Sequence, residues 1–119
     1  MPQTATVGVN ATFSDSATSL QVTGTGSAVL TLTAGLRVED IALPALTSQL
    51  QIAFPIGVST AKIVFVRAIS ASDLTVQIST SVGASILAIP SGAAISLYNV
   101  TALFVNSVVG GTIQVAVGS

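Results

Sequence analysis

The chain has 119 residues, 50% hydrophobic and only 6% charged, with 3 Lys and Arg against 4 Asp and Glu and a formal net charge of −1. It contains no Cys, His or Trp, which excludes disulfides, thiol catalysis, cysteine zinc sites and the commonest general base and metal ligand. So few basic residues leave no phosphate-neutralising patch for nucleic acid or anionic lipid.

Ala5, Val7, Val9, Ala11 and Phe13 alternate with Thr6, Gly8, Asn10 and Thr12. Successive side chains on a strand point to opposite faces, so residues 5–13 read as a strand with one apolar face. Asp15-Ser16 begins a turn. Leu20 to Thr23 reads as a short second strand, and Gly24-Thr25-Gly26-Ser27 as a hairpin bend returning through Ala28 to Thr33. Ala34-Gly35 breaks that strand before Leu36-Arg37-Val38.

Leu50, Ile52, Phe54 and Ile56 alternate next, but Pro55 cannot donate to a ladder, so this strand lies at an edge or ends there. A single helical turn around Leu43 to Leu50 is the alternative, without a convincing cap. Lys62 to Ile69 is almost continuously apolar, the pattern of a strand buried on both faces. Ala71-Ser72-Asp73 makes a turn, and Leu74, Val76 and Ile78 alternate after it. Ser85 to Ile89 then runs into Pro90-Ser91-Gly92, which reads as a type I turn. Ala94 to Asn99, Ala102 to Asn106 and Thr112 to Val117 complete the pattern, with Gly110-Gly111 as a last hairpin bend.

Nine or ten short antiparallel strands at roughly 8–12-residue spacing predict an all-β chain. The expected fold is a single-domain β-sandwich, jelly-roll-like, over residues 1–119, with residues 1–13 as an N-terminal arm or edge strand. No apolar run reaches the roughly 20 residues of a membrane helix. Four Phe and one Tyr are too few for the aromatic girdles of an outer-membrane barrel. No basic residue precedes Arg37, so no export signal is expected, and the chain is expected to be made in a cytoplasm.

Candidate chemistry is sparse. Glu39-Asp40 is the one adjacent carboxylate pair, and neighbours on a strand face opposite ways, so solvated charge is its expected role. Asp15 and Asp73 fall in turns, where Asp bonds local backbone. Arg67 sits within an apolar strand; a buried arginine needs a partner, and Asp73, Glu39 or a neighbouring subunit are the candidates. Tyr98 beside Asn99 is weak grounds for a sugar site, and a core or interface margin suits its amphipathic ring better. A Ser–Lys dyad through Lys62 lacks any local signature. No enzyme activity and no cofactor are expected.

The surface must therefore consist of Ser, Thr, Asn, Gln, Gly and small apolar residues. Such a monomer has little charge to keep it soluble and many strand edges open to pairing. Self-association, or docking on a larger lattice, would cover that surface. The expected assembly interface comprises Val7, Val9, Phe13 and Arg67.

The segments Lys62-Ile63-Val64-Phe65-Val66-Arg67-Ala68-Ile69, Asp73-Leu74-Thr75-Val76, Leu87-Ala88-Ile89-Pro90-Ser91-Gly92 and Gly111-Thr112-Ile113-Gln114-Val115-Ala116-Val117 follow one another as strands and turns over residues 60–119. In this the chain resembles small all-β virion proteins of tailed bacteriophages. The resemblance implies a non-enzymatic structural protein of the virion, a capsid decoration or cement, fibre-base or tail-associated protein. It further implies a homotrimer whose partners are itself and a major capsid or tail protein; the low charge and the lack of a long apolar run add the expectation of no nucleic acid and no membrane partner. A receptor- or glycan-binding tail-fibre module is the alternative; it requires Tyr98 or Phe104 to line a depression beside Asn99 or Asn106.

Overall fold

The computed structural model describes residues 3–15, 20–82 and 84–119. Ten strands follow one another: β1 (Gln3–Asp15), β2 (Leu20–Leu32), β3 (Leu36–Leu43), β4 (Thr47–Gln51), β5 (Ala61–Ala68), β6 (Leu74–Gln77), β7 (Ile86–Ile89), β8 (Ala94–Val100), β9 (Phe104–Ser107) and β10 (Gly111–Gly118). Among the described residues no helix is long and apolar enough to cross a membrane.

Eight strands form two antiparallel four-stranded sheets, ordered β3-β10-β5-β8 (sheet I) and β4-β9-β6-β7 (sheet II). Pairing is nested along the chain: β6 with β7, β5 with β8, β4 with β9, and β3 with β10. Only the innermost of these pairs is a hairpin between consecutive strands. Every other connection from β3 to β10 carries the chain from one sheet to the other.

The alternation seen in the sequence decides which face each strand buries. In β10, Ile113, Val115 and Val117 are almost wholly inaccessible, while Thr112, Gln114 and Ala116 between them are partly exposed. Val64 and Val66 of β5 join them from sheet I, and Leu74, Val76 and Val105 join from sheet II, in one apolar cluster. A cluster drawn from both sheets places them face to face, as in a β-sandwich. Each fully buried aliphatic side chain contributes about 1.5–3 kcal/mol relative to exposure.

Strand β5 departs from the expectation of burial on both faces. Val64, Val66 and Ala68 are fully buried and Ile63 nearly so, but Phe65 is half-buried and Lys62 and Arg67 are exposed. Arg67 shares its phase with Phe65 on the outer side of sheet I, where a guanidinium stays hydrated. It has no ion-pair partner among the described residues. The expected buried pairing with Asp73 or Glu39 is not formed.

Three local expectations are also corrected. Gly24 to Ser27 is not a bend: β2 runs straight through it, with Gly24 opposite Ala11 and Gly26 opposite Val9. Ladder bonds to a long partner strand override the preference of glycine for turns. The link between β1 and β2 is instead residues 16–19, which lie outside the described residues. No helical turn spans Leu43 to Leu50; β3 ends at Leu43 and β4 starts at Thr47. Because β4 ends at Gln51, Leu50 to Ile56 do not share one face: Ile52 is buried and Ile56 fully exposed.

Two turns join sheets in ways that local sequence does not reveal. The Pro90 turn closes one residue later than expected, with the Ala93 N–H donating to the Pro90 carbonyl at 3.0 Å. Gly92, at φ 82°, takes the third position, where a type II turn requires positive φ. Gly110-Gly111 is no hairpin bend, since β9 belongs to sheet II and β10 to sheet I. Gly110 has φ +84°, and a Cβ there would lie 2.7 Å from the Leu43 carbonyl oxygen. Only glycine meets both demands.

The first two strands stand apart. Strands β1 and β2, each 13 residues, pair in continuous register from Gln3↔Leu32 to Asp15↔Leu20 and form a two-stranded sheet of their own. At strand rise they span roughly 40 Å. The molecule measures 51 × 38 × 27 Å with a radius of gyration of 15.8 Å, above the approximately 13.5 Å of a compact chain this long.

Candidate functional site

The base of the hairpin is built from the two ends of the sandwich. Leu32 is buried beside Gly118, where an added Cβ would lie 2.5 Å from Leu32 Cδ1. The Lys62 ammonium donates to the Thr31 carbonyl at 2.9 Å. Ala34 and Gly35 N–H groups donate to the Ser119 carbonyl at 2.7 and 3.2 Å, and the Ser119 N–H returns a bond to the Gly35 carbonyl at 2.9 Å. These contacts fasten β2 over the outer side of sheet I where β10 ends. They also employ Lys62 as a backbone clamp, engaged by a carbonyl and not by a serine hydroxyl.

The four residues expected at an assembly interface lie on two different sheets. Val7, Val9 and Phe13 occupy β1, opposite Ala28, Gly26 and Val22; their side chains lie outside the described residues. Arg67 lies on sheet I, exposed, with Gln114 and Ala94 as its register neighbours. Tyr98 is also on sheet I, on edge strand β8, opposite Ile63 and 48% exposed.

Phe104 is on sheet II, so the two aromatic residues named for a sugar site do not share a surface. Asn106 does line a shallow hollow with Leu46, Thr47, Asp73 and Ser107. Its carboxamide is already used: Oδ1 accepts the Gln49 N–H at 2.7 Å and Nδ2 donates to Gln77 Oε1 at 3.2 Å.

The best-organised polar cluster ties β6 to the β9–β10 turn. One Asp73 carboxylate oxygen accepts the Ser107 hydroxyl at 2.5 Å, and the other accepts the N–H groups of Val108 and Val109 at 2.9 and 3.2 Å. Ser107 Oγ in turn accepts the Gly110 N–H at 2.9 Å. Bonds to the ionised form favour it. The Ser107 hydroxyl foremost, then the two N–H groups, holds Asp73 below the ordinary carboxylate range against the opposing pull of desolvation. Both carboxylate oxygens and the serine oxygen are engaged by the turn, which ties β6 to the start of β10. A local reading of the Asp73 turn missed it, because the partners lie 34–36 positions away.

On edge strand β3, Arg37 donates from Nε to Glu39 Oε1 at 3.0 Å and from a terminal nitrogen to Oε2 at 3.1 Å. The hydrogen bond and then the charge of Glu39 raise the Arg37 guanidinium above its ordinary value. Both residues oppose core positions, Val117 and Val115, so this pair puts charge on the inner side of an open edge. Charges in that place block edge-to-edge pairing of sheets. Strand β4 defends the other sheet by irregularity: its register shifts between Thr47 and Leu50, and Leu46 and Gln49 have φ of 61° and 49°.

Several large apolar side chains are also left open. Ile56 and Val82 are fully exposed, and Val38, Leu46, Ile78, Ile86, Val108 and Val109 are each more than half exposed. Among the described residues no group of three or more Asp or Glu is placed to hold a metal ion. Exposed apolar side chains of this kind can exclude water against another protein.

The chain matches no protein-family model, no curated protein and no solved structure.

Proposed function

We propose that the protein is a non-enzymatic structural component of a bacteriophage virion, an eight-stranded jelly roll that self-associates and docks on the capsid as a decoration, cement or fibre-base protein. The jelly-roll reading rests on strand order. Nested pairing, with alternate crossing between two four-stranded sheets, is what results when a long antiparallel ribbon is rolled into two Greek keys, an architecture used by viral capsid domains. The virion setting rests on the resemblance of residues 60–119 and on the scarcity of charge.

The observation that carries the assembly reading is the β1–β2 hairpin. A two-stranded ribbon is at best marginally stable alone in water, and among the described residues β1 and β2 pair only with each other. Anchored at its base by Leu32, the ribbon is suited to lie on a surface of another protein. Low charge supports this, because hydroxyl-rich and apolar surface loses less on desolvation than ionic surface.

Antibody raised against the purified chain tests the setting. Immunogold label on gradient-purified particles should fall at regular positions on the head or tail base. Particles that carry no label while the lysate supernatant holds all the antigen overturn the proposal. Specific retention on a glycan array, abolished by Tyr98→Ala, would favour the receptor-binding alternative.

A further inference from the structure

From the outer face of sheet I we infer that two copies of this chain pair there about a two-fold axis running along β10, an inference that rests on the self-association proposed above. Register places residues of three neighbouring strands in straight rows across this face. One row reads Asp40, Gln114, Arg67 on β3, β10 and β5; the next reads Val38, Ala116, Phe65. All alternate with the core positions Ile113, Val115 and Val117, so all point away from the core.

Asp40 and Arg67 thus lie on one face, equally far from β10 on its two sides and roughly 10 Å apart at ordinary strand spacing. Both are exposed, and neither has an ion-pair partner among the described residues. A two-fold axis parallel to β10, midway between two copies stacked face to face, exchanges the two sides of the strand. It sets Asp40 against the partner's Arg67 and Arg67 against the partner's Asp40. The same rotation sets Val38 against the partner's Phe65, apolar on apolar. A single rotation matches both rows, as an isologous interface requires.

The rotation also brings the hairpin bases of both copies to the same end of β10. Leu32 covers Gly118 at one end of β10, so the contact is made by the rows of Asp40 and Val38 and not by the row at the hairpin base. Ala116 and Gln114 on the axis meet their own copies, and neither is bulky enough to hold the sheets apart. Pairing two-fold differs from the trimer implied by the resemblance, and the two are separable by mass.

Native mass spectrometry and sedimentation equilibrium of the full-length chain test the inference. The wild-type protein should be a dimer. Asp40→Arg and Arg67→Asp should each weaken it at least about tenfold, by setting like charges against each other, and the double exchange Asp40→Arg with Arg67→Asp should restore it. The chain has no cysteine, so Gln114→Cys on the axis should be joined to its own copy by a short bis-maleimide. Ala88→Cys on sheet II should not. A wild-type chain that stays monomeric at high concentration sinks self-association altogether. An oligomer of any size that ignores both charge reversals, or a double exchange that fails to restore the dimer, sinks this face while leaving self-association standing.

Discussion

Asp73 and Ser107 lie 34 positions apart and are joined by a hydroxyl-to-carboxylate hydrogen bond of 2.5 Å, while the same serine oxygen accepts the Gly110 N–H. One carboxylate therefore holds both the start of β6 and the turn that delivers the chain into β10, the central strand of the core.

Ser107→Ala should destabilise the fold by about 1–3 kcal/mol, since it leaves the Gly110 N–H, in a buried turn, without its acceptor. Urea denaturation followed by far-ultraviolet circular dichroism measures this. A change within a few tenths of a kcal/mol would show that the turn holds itself.

Acid should act through Asp73. Its carboxyl is held below the ordinary value, so the unfolded chain binds this proton more readily than the folded one. The contribution is then fully present above the unfolded value near 3.9 and is lost as pH falls through the lower, folded value. Asp73→Asn should flatten the acid limb of the melting temperature against pH. An unchanged limb would place the acid sensitivity elsewhere.

Gly110→Ala should cost distinctly more than Gly57→Ala. Both have φ near +80°, but an added Cβ at Gly57 meets open space, whereas at Gly110 it strikes the Leu43 carbonyl. Positive φ alone costs an alanine about 1–2 kcal/mol, so Gly57→Ala should stay in that range and Gly110→Ala exceed it. Denaturation midpoints of the two variants decide the matter.

Leu103→Ala should cost about 2–5 kcal/mol, because Leu103 is fully buried in the cluster shared by the two sheets. Val82→Ala, on a fully exposed side chain, should stay within about 0.5 kcal/mol. Equal effects would mean that the two sheets do not share one core.

Removing residues 1–31 should leave the sandwich folded and its two-fold pairing intact, since Leu32, which covers Gly118, and the strands of both sheets remain. Co-sedimentation of the labelled chain with purified particles should then be lost. Pelleting equal to that of the full chain would show that the hairpin does not dock.

Strands were legible wherever period-two alternation reported a buried face, as in Ile113-Gln114-Val115-Ala116-Val117. Turn chemistry was legible only as the presence of a bend. Gly110-Gly111 marks a turn, but whether it folds a hairpin or crosses between sheets depends on which distant strands are already neighbours. Gly24 and Gly26 misled for the opposite reason, since a long partner strand can hold glycines extended. Arg67 misled because an apolar run does not tell which alternate residues face a core and which face solvent. Neither the Asp73–Ser107 bond nor the alignment of Asp40 with Arg67 has any local signature, because both come from register set by remote pairing.

Nesting also prescribes an order of events during folding. Pairing links residues 77 and 86 at the centre, 67 and 94 next, then 51 and 104, and finally 43 and 111, so the span of chain to be closed grows with every pair. Loop-closure entropy rises with that span. The ribbon is then expected to zip outward from β6 and β7, and β3 to lock last and slowly, as long-range topologies do.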